Sequence, residues 1–398
     1  MNYSHISKLL TSEISKTDKK NEGIYFTPPN FIKENIHLLL PYMSSIQNVL
    51  EPSCGSGEYI TALQEIYPEI KITGIEKNTI IYNSVLSLQN ENVNIYSQDY
   101  LEWSTQTKYD LIIGNPPFYV MKKEDVAKEY HTYFEGRPNI FILFIIKSLK
   151  LLTDNGILSF VLPKNFLSCL YYEKTRKYIY ENYQILHIVE CKERYLETAQ
   201  ETILFMIQKR DIIDNSSFVC SISNYIVFSF EENIIKLKEL YNNSKSLNEL
   251  GFKVSVGNVV WNQCKDILTE DDTKTRLIYS SDIQKDEIIL KKYPNIEKKN
   301  YINKEGITKP MIVLNRGYGV GKYKFEYCLI NQTKEYLIEN HLICIEYKED
   351  LSQEQLLELY KQLLISFQDK KTIEFIELYF GNNAINTTEL NYLLPIYI

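Results

Sequence analysis

Nowhere in its 398 residues does the chain hold the ~20 uninterrupted apolar residues that a membrane-spanning helix needs. The nearest approach, Ile140 to Leu152, is broken by Lys147 and Lys150. The N-terminus, Met1-Asn2-Tyr3-Ser4-His5, lacks the basic, apolar and small-residue succession of a signal peptide, so a cytoplasmic protein with no membrane partner is expected. The seven cysteines are odd in number, scattered and without a close pair, which argues for free thiols rather than disulfides or zinc. Five dispersed histidines form no metal-ligand spacing, and no metal is expected. Internal repeats and low-complexity tracts are missing as well. An excess of basic residues is also lacking: the net charge is -7, so any affinity for a polyanion has to come from a local cluster.

What is there reads as an α/β protein large enough for two domains. Short apolar runs at Asn48–Leu50, Lys71–Ile75, Val93–Tyr96, Tyr109–Ile113, Gly156–Leu162, Ile185–Val189 and Thr202–Ile207 predict seven strands, with helical patterns between them. The stretch from Asn139 to Leu152 is apolar on all sides and predicts a buried crossover helix. Pro28 and Pro29 open another helix, Asn30–Leu40. The alternation stops near Arg210, and Asp350–Phe367 predicts one late helix. Residues 1–240 and 241–398 are therefore expected as separate domains.

The first strand runs into Leu50-Glu51-Pro52-Ser53-Cys54-Gly55-Ser56-Gly57, a loop whose glycines let the backbone approach a ligand. Ile60 stands where a dinucleotide fingerprint has its third glycine, which counts against NAD. Glu51, at the C-terminal tip of its strand, would repel a pyrophosphate and welcome a sulfonium or ammonium group. Glu76, at the tip of the second strand, lies about 20 residues beyond the loop, where a carboxylate reaches ribose hydroxyls. Asp99, after the third strand, could accept from an adenine amine, although alone it reads more readily as a helix cap.

The fourth strand ends in Asn115-Pro116-Pro117-Phe118. Each proline fixes its own φ and extends the residue before it, so the turn is stiff. Asn115 offers a side-chain oxygen and Pro116 a main-chain oxygen, together enough to accept both hydrogens of a planar NH2 group. Phe118 can stack on the ring that carries it. Three acidic strand tips followed by this turn point to a nucleoside sulfonium held beside an amine.

These motifs, in this order, resemble the class I S-adenosylmethionine-dependent methyltransferases. More narrowly they resemble the gamma group of DNA adenine-N6 methyltransferases, the TaqI-like and Eco57I-like modification methylases. The resemblance spans the chain and is specific up to about Lys209. It implies a doubly wound seven-stranded sheet followed by a C-terminal mixed α/β target-recognition domain, with S-adenosyl-L-methionine as cofactor. Phe26-Thr27-Pro28-Pro29 matches the N-terminal motif, whose threonine, here Thr27, contacts the cofactor. The glycine loop contributes Glu51, Ser53, Gly55 and Gly57; Glu76 is the ribose carboxylate, and Asp99-Tyr100 the adenine-binding pair. Asn115 and Pro117 adjoin the cofactor, and Phe144 is the aromatic placed near its adenine. Asn115, Pro116 and Phe118 are implied as catalytic, with phenylalanine where the family more often has tyrosine. A second aromatic completes the family's sandwich around the target base, and the register puts Ile207 there, with Phe205 one period away.

The resemblance implies a site-specific DNA adenine-N6 methyltransferase acting on double-stranded DNA by base flipping, with a separately encoded restriction endonuclease as its companion. Between Lys291 and Lys324 nine basic residues face two acidic ones, with Tyr293, Tyr301, Tyr318 and Tyr323 interleaved. That pattern suits phosphates and exposed bases, or a solvated lysine-rich face. Trp261, Asn262, Asn315, Arg316, Tyr318 and Lys322 are the candidates for contact with DNA; the glycines around Arg316 would equally form a simple hairpin. Methylation of ribosomal RNA adenine uses the same chemistry. A protein-glutamine methyltransferase shares the Asn-Pro-Pro-aromatic turn, but its additional domain precedes the catalytic one.

Overall fold

The computed structural model describes residues 3–193, 195–198, 200–284, 286–317, 323–379 and 385–398. It divides into two compact units, Met1–Ser221 with Tyr225–Ile234, and Ile222–Asn224 with Ile235–Ile398.

The first unit is built on seven strands: β1 (Asn48–Glu51), β2 (Lys71–Glu76), β3 (Val93–Ser97), β4 (Tyr109–Gly114), β5 (Leu152–Pro163), β6 (Gln184–Glu190) and β7 (Thr202–Gln208). Their spatial order is β3-β2-β1-β4-β5-β7-β6, parallel except for β7, which runs against both neighbours. This is the doubly wound seven-stranded sheet that the alternation of apolar runs predicts. Both faces are covered because the pleat sends successive residues to opposite sides. In β4, Ile112 enters one apolar core together with Leu50, Leu158 and Phe160, while Leu111 and Ile113 enter the other with Val49, Ile157 and Val161.

The helices of this unit are α1 (His5–Glu13), α2 (Lys16–Glu22), α3 (Pro29–Leu39), α4 (Glu58–Ile66), α5 (Thr79–Val85), α6 (Ile140–Leu151) and α7 (Glu173–Asn182). Helix α6 is apolar all round because it is buried all round, from Ile140 through Ile146 and at Leu149. Proline at its first position starts α3. Ser4, Ser15 and Asn78 cap α1, α2 and α5 through their side-chain oxygens.

The second unit is mixed α/β. One antiparallel sheet orders its strands Phe252–Val256, Leu342–Tyr347, Met311–Asn315 and Tyr327–Ile330. A second orders Leu268–Thr269, Tyr301–Ile302, Thr275–Ile278 and Tyr336–Ile338. The helix expected at 350–367 is Gln353–Gln368, starting later because Ser352 caps it in a capping box with Gln355. Among the described residues no helix is long and apolar enough to cross a membrane, and no group of His, Cys, Asp and Glu is arranged to hold a metal.

Candidate active site

A parallel sheet carries its binding crevice beyond the C-terminal ends of its strands. There the first unit has a cleft with about 940 Å³ of free space including its open mouth. Its walls bring together Thr27, Glu51, Ser53, Gly55, Glu76, Asp99, Tyr100, Asn115, Pro117 and Phe144, ten of the eleven residues expected at the cofactor. Six different segments deliver them: the stretch before α3, the tips of β1, β2 and β4, the turn after β3, and α6.

The eleventh, Gly57, does not line the cleft. It sits at the N-cap of α4 with φ +73°, where a Cβ would lie 2.3 Å from the Leu88 side chain. Its missing side chain therefore serves packing and a left-handed turn, not ligand approach.

The carboxylates are under strain from burial. Glu51 is 3% exposed and its Oε2 has no hydrogen-bond partner. Burial, reinforced by Glu76 and Glu58, holds its pKa well above the usual carboxylate range. Glu76 accepts from the main-chain N–H of Gly55 (3.0 Å) and of Asn78 (2.7 Å), which fixes its orientation. Burial outweighs those bonds and raises its pKa to about 7. Asp99 accepts from the N–H of Leu101 (2.8 Å) and pairs with Lys77 (2.8 Å). The Tyr100 ring packs 4.9 Å from that of Phe144, forming an apolar wall beside these acids.

Asn115 lies at the tip of β4. Its Nδ2 donates to the Tyr25 carbonyl (2.9 Å), while its Oδ1 is buried and unpartnered. Its main-chain oxygen accepts from Ser53 Oγ (3.1 Å). No hydrogen bond reaches the Pro116 carbonyl oxygen among the described residues. Phe118 is half-buried and rests edge-on against Phe141, centroids 5.9 Å apart.

Residues 43–196 match the model of the Eco57I restriction-modification methylase family. Along nearly its whole length the chain is similar to the type II methyltransferase M.CvrRI of Paramecium bursaria Chlorella virus XZ-6E, 26% identical over 94% of this chain and 93% of that protein. Modification methylase CviBIII of Paramecium bursaria Chlorella virus NC1A is 25% identical over 96% of each. Among solved structures, the DrdV–DNA complex resolved by cryo-EM shares the fold at a TM-score of 0.55 and 12% identity, over 94% of this chain and 55% of that one.

Two further expectations from sequence fail. Phe205 and Ile207 are completely buried, Phe205 stacked on Phe228 (5.7 Å) and packed against Phe166 (5.3 Å). Because β7 is antiparallel, its first residue, Thr202, pairs with Pro163 at the cleft end of the sheet, and Ile207 pairs with Leu158 towards the far end. Neither side chain is available to a base. In the second unit Asn315 is buried, its amide donating to Glu326 (2.9 Å), so it is not presented to solvent. Trp261 is half-buried with Lys265 Nζ 5.9 Å from its ring, and Asn262 and Arg316 are exposed. Tyr318 and Lys322 lie outside the described residues.

The structure adds cleft residues that the motifs did not single out: Gly23, Tyr25, Lys77 and Tyr119. The signal for the first two was a glycine after the lysine-rich stretch Lys16–Glu22, which indicates a helix end and nothing about its tertiary partner.

Proposed function

We propose that the protein transfers a methyl group from S-adenosyl-L-methionine to the N6 amine of an adenine extruded from double-stranded DNA. The observation that carries this reading is the Asn115 amide, pinned through its nitrogen and left with a buried, unpartnered oxygen. An orphaned acceptor in a cleft costs about 1–3 kcal/mol unless a ligand donor satisfies it. The target amine is such a donor, and the Pro116 carbonyl is available for its second hydrogen.

The cleft also suits the methyl donor. The orphaned, buried Glu51 Oε2 fits a cationic amine, the fixed Glu76 carboxylate fits ribose hydroxyls, and Asp99 with the Tyr100–Phe144 wall fits an adenine ring. When bound, the cofactor supplies an electrophilic methyl: the carbon–sulfur bond breaks, its electron pair stays on sulfur, and a carbon–nitrogen bond forms at N6. Asn115 and Pro116, by accepting from N6, favour a more tetrahedral nitrogen and aim its lone pair, so catalysis is orientation and electrostatics. The N6 proton leaves to solvent after attack. Phe118 stacks on the extruded base and offsets part of its unstacking cost. The second unit, with Trp261, Asn262, Arg316, Tyr318 and Lys322, recognises the DNA around the target, alongside a separately encoded endonuclease of the same specificity.

The test is Asn115→Ala in single-turnover methyl transfer. Loss of an acceptor that acts in the transition state lowers the rate by about a hundredfold or more, with S-adenosylhomocysteine still bound. A rate within about tenfold of the parent protein contradicts the role.

A further inference from the structure

An amide is nearly symmetric in shape, and only its neighbours decide which end faces a ligand. At Asn115 that neighbour is the Tyr25 carbonyl, which can only accept. We infer that the main-chain carbonyl of Tyr25 is a positioning group: it turns the Asn115 oxygen toward the target amine and selects asparagine over aspartate at this position. With the amide reversed, two carbonyl oxygens would face each other and an NH2 group would confront the amine. Neither arrangement is productive.

Residues 23–27, the strap that carries Tyr25, follow α1 and α2 and are fixed on both sides. Gly23 ends α2 with φ +68°, and a Cβ there would lie 2.6 Å from the Phe118 nitrogen and 3.1 Å from Pro117 Cβ. The strap therefore touches the main chain of the catalytic turn, in addition to its contact with the amide. Lys19, 3% exposed, is held by Glu197 (2.7 and 2.8 Å) and by the Thr11 carbonyl. At the far end the Ser7 hydroxyl donates to Glu58 (2.5 Å) and hydrogen-bonds with the Ser56 hydroxyl (2.8 Å) in the glycine loop. The strap also lines the cofactor cleft through Gly23, Tyr25 and Thr27.

An aspartate at position 115 would need a proton to bond Tyr25 while presenting its carbonyl oxygen to the amine. The cleft favours that proton, because the titratable groups lining it with Asn115 are the carboxylates of Glu22, Glu51, Glu58, Glu76 and Asp99, the phenols of Tyr25, Tyr59, Tyr100 and Tyr119 and the thiol of Cys54, with Lys77 as the cation. The conservative variant Asn115→Asp therefore carries a signature that a purely structural contact would not produce.

The experiment is single-turnover transfer by the full-length Asn115→Asp protein at saturating cofactor, with S-adenosylhomocysteine affinity measured by calorimetry at each pH. The variant is expected to be at least ~tenfold faster near pH 6 than near pH 8, because the protonated fraction falls about tenfold per unit above its pKa. The parent protein should change less than about threefold over that range, and both should bind S-adenosylhomocysteine. A variant whose profile is flat, or parallel to the parent's, overturns the inference. A second arm uses Lys19→Met, which loosens the helix leading into the strap and lies outside the cleft. A fall in rate of ~tenfold or more, with S-adenosylhomocysteine affinity within about threefold, supports the strap's positioning role. An unchanged rate, or parallel loss of both quantities, overturns it. The inference rests on Asn115 receiving the amine, and the two failures are distinguishable. Transfer that survives Asn115→Ala sinks the catalytic role itself, whereas transfer that is lost in Asn115→Ala and not regained by Asn115→Asp at low pH sinks only the part assigned to Tyr25.

Discussion

The cleft of the first unit and the basic segment of the second face opposite electrostatic situations. In the cleft, Glu51, Glu76 and Asp99 crowd together, and both Glu51 and Asn115 keep a buried oxygen with no partner. In the second unit some of the cations are already engaged: within the basic segment Lys299 pairs with Glu270 (2.6 Å) and Lys298 rests over the rings of Tyr279 (4.0 Å) and Tyr293 (4.5 Å), and outside it Arg276 pairs with Asp282 (2.8 Å) and Lys265 with Glu297 (2.6 Å). One region gathers buried acidic groups around a cleft; the other satisfies part of its charge internally. Counting lysines along the chain therefore overstates the charge this segment offers to phosphates, whereas the acidic strand tips understate how strongly the cleft calls for a cationic ligand.

The contrast can be broken first at Glu76. Its pKa is raised to about 7 from 4.5, so the folded state holds a proton that the unfolded state releases earlier. The associated stability is present below the unfolded pKa and is lost as pH rises through about 7, at most about 3 kcal/mol. The ligand-free protein should melt at a lower temperature at pH 8 than at pH 5, and Glu76→Gln should flatten that fall. Glu51 is shifted in the same direction, so a residual slope remains in the variant. An identical pH dependence in both proteins would remove Glu76 from the account.

Next in size is Glu51→Gln, which keeps the shape and removes the charge. S-adenosylhomocysteine affinity by calorimetry should fall roughly thirtyfold, about 2 kcal/mol, the range of a charge-assisted hydrogen bond. An unchanged affinity would mean the orphaned oxygen has another purpose. Phe118→Ala should weaken extrusion of 2-aminopurine placed at the target position by about 1–2 kcal/mol, read as fluorescence, while Phe118→Tyr retains it. The smallest effect is expected on the other side of the comparison. Lys298→Gln should lower the slope of DNA affinity against salt by well under the ~0.9 of a fully available cation, since its ammonium is already engaged with two rings. A larger change would show that the basic segment is more open to phosphates than its internal pairing indicates.

The fold was legible because it depends on local pattern: seven apolar runs, each separated by a helix or a turn, leave little choice but a doubly wound sheet. Glu51, Glu76 and Asn115 were legible for a related reason, since strand tips in a parallel sheet converge wherever the loops lead. The Tyr25–Asn115 bond was not, because it joins residues 90 apart through a main-chain atom that no side chain advertises. Gly57 was misassigned because a glycine freed for a ligand and a glycine freed for Leu88 look alike in sequence. Phe205 and Ile207 failed because strand direction, which decides the end of β7 that meets the cleft, is a tertiary property.

The most direct measurement exposes methyl-free genomic DNA to the protein with S-adenosylmethionine and maps every modified base by sequencing. The account predicts N6-methyladenine within one short motif, abolished by Asn115→Ala. Modification of cytosine, or no DNA modification with methyl label entering RNA or protein instead, would contradict it.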